Sequence, residues 1–130
     1  MKILVGYDGS NQAKEALNVA KKHAQALNAD VYVVTSLVGE DETTTEDIRK
    51  AEEELEYAKR LLSEIGITVE THLLIRGFKP GEDLLRFAEE HEIDEIIVGI
   101  QKTSAVGKLL LGSTARDVIL GAQCPVVAVK

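Results

Sequence analysis

Apolar positions along the chain follow two rhythms that take turns from one end to the other. Ile3, Leu4 and Val5 stand in a row and give way to Gly6, Asp8 and Gly9, the outline of a buried strand over Lys2 to Tyr7 ending in a turn. Ser10 is a suitable N-cap for the next segment. There Ala13, Ala16, Leu17, Ala20, Ala24 and Leu27 recur on one helical face, lysines occupy other faces, and Asn28 closes the helix. Val31, Tyr32, Val33 and Val34 read as a second strand, and the polar run Gly39 to Thr45 as a surface loop without visible chemistry. Thr44 with Asp47 forms a capping box. After it Ile48, Ala51, Leu55, Ala58, Leu62 and Ile65 repeat at spacings of three and four, predicting a long amphipathic helix that ends at Gly66.

The second half repeats the alternation. Ile67 to Ile75 predicts a third strand and Arg76 to Lys79 a turn. Pro80 suits the first turn of a helix whose dipole Glu82 and Asp83 favour and whose apolar side is Leu84, Leu85, Phe87 and Ala88. Ile93 to Gly99 carries Ile96, Ile97 and Val98 into a fourth strand. A glycine-containing loop then reaches Gly112, a helix starts near Ser113, and Val126 to Val129 is the last strand. Strands alternating with helices predict an α/β domain over residues 1–130: an open, parallel sheet with helices on both faces and right-handed crossovers.

Composition sharpens this in three places. Aromatics are only 4% of the 130 residues against 45% hydrophobic, so branched aliphatics must fill the interior. No apolar run approaches the roughly 20 residues of a membrane helix, and the chain enters Ile3 to Val5 with no signal-peptide outline, which predicts a cytoplasmic protein with no membrane partner. A formal net charge of −7 disfavours nucleic-acid backbones, so any anion site has to be local. Gln101 to Arg116 stands out accordingly, having Lys102, Lys108 and Arg116 and no acidic residue. The single Cys124 cannot form an internal disulfide and reads as a small buried hydrophobe before Pro125. His23, His72 and His91 lie in periodic segments and read as solvated or boundary positions.

In a sheet of this kind ligands bind at the carboxyl ends of strands, where neighbouring crossovers part. Two loops qualify. In the first, Gly6 to Ser10, Asp8 offers an oxygen to a ribose hydroxyl or to Mg²⁺ held against phosphates; the alternative is that it shapes the turn or caps the helix. In the second, Gly99 through Gly107 to Gly112, Ser113 and Thr114, glycine lets backbone approach a phosphate and the following helix adds its positive end; the alternative is an ordinary turn and N-cap. Gly107 and Gly112 have the Walker A glycine spacing, but Ser113 stands where its lysine belongs, and the first turn lacks G-x-G-x-x-G. P-loop and nicotinamide chemistry are both disfavoured. Neither a nucleophile elbow nor a catalytic triad is visible.

The opening Ile3-Leu4-Val5-Gly6-Tyr7-Asp8-Gly9-Ser10, the run Asp94 to Gly99, Gly112-Ser113-Thr114 and the final Cys124-Pro125-Val126-Val127-Ala128-Val129 together resemble the universal stress protein pattern over essentially the whole chain. The resemblance implies a three-layer, Rossmann-like fold of the adenine nucleotide alpha hydrolase type, with five strands in the order 3-2-1-4-5. It also implies a homodimer in which Val126 to Val129 pairs across the two copies, which an uncharged sheet edge independently favours. The ATP-binding branch of that family carries G-x2-G-x9-G-[S/T]. Gly99, Gly112 and Ser113 match it, whereas Lys102 replaces the middle glycine and either fills phosphate space or neutralises the phosphates. The resemblance further sets Asp8 near ribose and phosphates, Gly6 and Tyr7 beside the nucleotide, Ser36 near the adenine through its backbone, and Val98 under the base. The implied function is an ATP- or AMP-binding regulatory module of stress adaptation. Two alternatives stand beside it: a dimeric interaction module, with an unidentified protein partner, that binds no nucleotide, and a slow ATP hydrolase using Asp8 with Mg²⁺.

Overall fold

The computed structural model describes residues 1–39, 42–101 and 111–130. Nine elements alternate along it: β1 (Lys2–Gly6), α1 (Asn11–Leu27), β2 (Asp30–Ser36), α2 (Thr45–Ser63), β3 (Val69–Leu74), α3 (Pro80–Glu90), β4 (Glu95–Gly99), α4 (Ser113–Gly121) and β5 (Val126–Val129). The strands form one sheet in the order β3-β2-β1-β4-β5, with every neighbouring pair parallel.

Period-two alternation explains why the central strands read as unbroken apolar runs. Ile3, Val5, Val31, Val33 and Ile97 face a core built with α1 and α2, while Leu4, Tyr32, Val34, Ile96 and Val98 face one built with α3 and α4. Register locks the two layers together: Ile3 pairs with Val31, and Leu4 with both Tyr32 and Ile96. Small residues let α1 approach closely, since Ala13, Ala16, Ala20 and Ala24 are all buried against the sheet.

Helix ends follow their predicted chemistry. Ser10 Oγ accepts from Ala13 N–H at 3.1 Å, and Asn28 closes α1 in the left-handed conformation at φ 52°. The Thr44–Asp47 capping box is present in both directions, at 3.1 and 3.0 Å. α2 stops at Ser63, short of Gly66, because Ile65 and Gly66 tighten into bonds three residues back, at 3.3 and 3.0 Å. β2 runs past Val34 to Ser36 because Thr35 and Ser36 pair with Leu73 and Leu74. β3 and β4 are shorter than predicted; Ile93 is held to the end of α3 by its N–H to Ala88 carbonyl, 2.9 Å, and so precedes the ladder.

The three histidines occupy partly buried boundary positions. His23 Nδ1 lies 2.7 Å from Glu95 Oε1, and His91 stacks on Phe87 with ring centroids 3.8 Å apart. Cys124 is a correction: it is partly covered, not buried, because it leads into β5 at the open edge of the sheet.

Candidate functional site

β1 has β2 on one side and β4 on the other, so its crossover leaves in one direction while the chain returns in the other. The crevice such a topology opens lies beyond the strands' carboxyl ends. A cleft of about 340 Å³ is found there, lined by Gly6, Tyr7, Asp8, Ser36, Val98, Gly99 and Thr114 among others. Seven of the expected site residues therefore meet in one space. Gly112 and Ser113 adjoin it through Thr114 without lining it, and Lys102 lies outside the described residues.

Each wall has a local cause. Beyond β1, Gly9 turns the chain at φ 77°, and Asp8 Oδ1 accepts Ser10 N–H at 3.0 Å. Asp8 thus shapes the turn with one oxygen and lines the cleft as well. Tyr7 continues the ladder through its N–H to Val34 carbonyl, 2.9 Å, and Thr35 Oγ1 donates to Tyr7 carbonyl at 2.5 Å. The Tyr7 side chain is 2% exposed, and among the described residues its hydroxyl has no hydrogen-bond partner. Burial first, then the charges of Glu54, Tyr57 and Asp8, push that phenol up to about 12.

The opposite wall is the start of α4. Gly112, not Ser113, is its N-cap, with extended backbone and no side-chain bond, and the first intrahelical bond runs from Arg116 N–H to Gly112 carbonyl at 3.0 Å. The N–H groups of Ser113, Thr114 and Ala115 therefore lack helical partners, and Thr114 and Ala115 line the cleft. Such a terminus attracts anions.

The two signature glycines differ in what requires them. A Cβ on Gly99 would come within 2.6 Å of the Gln12 backbone, so close packing of β4 on the first turn of α1 demands glycine there. A Cβ on Gly112 meets nothing within 4 Å among the described residues, and its φ of −63° suits any residue. Among the described residues, then, neither packing nor backbone conformation calls for glycine at 112.

Sequence reasoning missed two groups. Asp47, Lys50, Ala51 and Glu54 of α2 line the cleft at helical spacing, yet a charged helix face looks the same whether it meets solvent or a site. Asp83 is fully buried: Ser36 Oγ donates to its Oδ2 at 2.7 Å and Arg76 Nε to its Oδ1 at 2.7 Å. Arg76 also reaches Glu90 at 3.0 Å. Burial opposes the Arg76 charge, but the bonds to Asp83 and Glu90 outweigh it and hold the guanidinium raised. Ser36, expected at the adenine through its backbone, turns its side chain to this network.

Against known proteins, the model of the universal stress protein family matches residues 1–130. A universal stress protein of Thermus aquaticus is 36% identical over 137 residues, covering 98% of this chain and 97% of that one. The structure of a universal stress protein from Archaeoglobus fulgidus superposes with a TM-score of 0.91 at 43% identity, covering 100% of this chain and 98% of that one. Another, from the same organism and in complex with dAMP, gives 0.86 at 39% identity and covers the same shares, 100% and 98%. Sequence, fold and cleft agree, and the chain belongs to the universal stress protein family.

Proposed function

We propose that this chain is a nucleotide-binding regulatory module of the stress response that holds ATP or AMP in the cleft between the Asp8 loop and the start of α4. The observation that carries the reading is the convergence of Asp8 and Thr114 on one space of about 340 Å³, within the size range, about 300–1,000 Å³, of small-molecule sites. The relative solved with dAMP supports the ligand class. Asp8 bonds the ribose or, with phosphate oxygens and water, holds Mg²⁺; among the described residues no trio of His, Cys, Asp or Glu forms a cage for a metal by itself. Backbone amides of Ser113 and Thr114 take the phosphates, with Gly99 and Gly112 completing that end and Lys102 either filling phosphate space or neutralising the phosphates. Gly6 and Tyr7 flank the nucleotide, Val98 lies under the base, and the Ser36 backbone reads the adenine.

The reading extends to a cytoplasmic homodimer joined through β5. Among the described residues no helix is long and apolar enough to cross a membrane. Binding, not turnover, is the proposed role, with occupancy altering the dimer or a surface for another protein. The test is to denature purified protein, identify any released nucleotide, and titrate the emptied protein with AMP and ATP by calorimetry. Adenine nucleotide released, with saturable heat, is the expected result. An empty protein with no heat favours an interaction module instead, and phosphate release proportional to protein and absent in Asp8→Ala favours a hydrolase.

A further inference from the structure

The wall of the cleft formed by α2 has no role in the reading above. Asp47, Lys50 and Glu54 fall on one helical face, and together with Asp8 they give the described lining three carboxylates and one ammonium. Glu54 is set against the first loop: a Cβ added to Gly9 would sit 2.7 Å from its Cδ and 2.9 Å from both carboxylate oxygens. Among the described residues no hydrogen bond or ion pair engages Glu54, whereas Asp47 is tied to Thr44 N–H by the capping box. Among the described residues an unpaired carboxylate is thus packed against Gly9, next in the chain to Asp8, at a site whose other wall attracts anions. The buried Tyr7 hydroxyl, without a partner among the described residues, feels both charges.

Resting on the proposal that the cleft holds an adenine nucleotide, we infer that α2 is its charge selector. Glu54, packed against Gly9, penalises each added phosphate, so the site holds a nucleoside monophosphate ahead of the triphosphate. The physical reason is range. Coulomb repulsion from a lining carboxylate acts over about one Debye length, roughly 8 Å at physiological salt, and grows with phosphate number. Lys50, one turn before Glu54, acts with the opposite sign.

Affinities of adenosine, AMP and ATP, measured by calorimetry in EDTA for the native chain, Glu54→Gln and Lys50→Gln, test this. Each is expressed relative to adenosine on the same protein, which removes effects on the nucleoside pocket and on folding. Comparing variants also isolates each charge from Lys102 and Lys108, which lie outside the described residues. AMP should bind the native chain more tightly than ATP. Glu54→Gln should raise the ATP-to-AMP affinity ratio about fivefold, Lys50→Gln should lower it, and 0.5 M salt should shrink both effects. Native preference for ATP, or a ratio that Glu54→Gln leaves unchanged, overturns the selector while the nucleotide site stands. Failure of all three ligands to bind overturns the nucleotide reading and the selector with it.

Discussion

Two glycines of the same motif carry opposite consequences. Gly99 is a packing residue, because any side chain would enter the Gln12 backbone. Gly112 is open. Gly99→Ala should therefore cost roughly 1–3 kcal/mol of stability through forced displacement of α1. Gly112→Ala should stay within about 1 kcal/mol of native, the loss of a glycine N-cap, while nucleotide affinity falls at least about tenfold. Urea unfolding and calorimetric titration of both variants check the pair; equal losses of stability would remove the ligand explanation for Gly112. Tyr7 makes a second prediction at this scale. Its folded-state pKa of about 12 lies above the ordinary tyrosine value near 10, and both states are neutral below pH 10. Between about pH 10 and 12 the unfolded chain loses the proton that the folded chain keeps, so stability falls with rising pH by roughly 2 kcal/mol and then levels. Tyr7→Phe removes a hydroxyl with no partner among the described residues, should stay within about 1 kcal/mol of native at pH 7, and should flatten that alkaline loss in unfolding measured at pH 9 and 11.5.

Among elements, the Arg76–Asp83–Ser36 link ties the turn after β3 and the first turn of α3 to the carboxyl end of β2, where the cleft wall begins. Asp83 is fully buried, so Arg76→Met leaves its carboxylate with Ser36 as the remaining described partner and should cost about 3 kcal/mol in urea unfolding. A loss below about 1 kcal/mol would show that the pair does not hold these elements. This network also marks where the chain's pattern stops being readable. Glu82 and Asp83 look alike as acidic residues in a first helical turn, and only packing shows one exposed and the other sealed. Strand and helix identities were legible because burial on one or two faces imprints a period. The Asp8 loop and the start of α4 were legible because glycine and cap residues mark turns. Thr35 and Ser36 were missed as strand residues because they are polar and pair through backbone. Asp47, Lys50 and Glu54 were missed because the direction a charged helix face looks depends on the neighbouring crossover.

At the scale of the whole molecule, the sheet ends in β5, whose side chains are partly covered or exposed and whose outer edge has no strand among the described residues. Ile96 N–H donates to Pro125 carbonyl at 3.0 Å and Ile100 N–H to Val129 carbonyl at 2.7 Å. Strand alternation therefore turns the backbone of Val126 and Ala128 outward, toward the proposed second copy. Ala128→Pro deletes an outward donor without touching the ladder to β4, in a place where an edge strand tolerates proline. Sedimentation should show the native chain as a dimer and Ala128→Pro as a folded monomer. A dimer that survives the substitution would place the interface elsewhere.

Nucleotide binding in this cleft requires one ligand to touch two segments far apart in sequence. Backbone amide NMR during an AMP titration observes both at once. The amides of Asp8 to Ser10 and of Ser113 to Ala115 should shift together along a single binding curve. Shifts at one segment without the other, or confined to the far end of the sheet around Cys124, would contradict it.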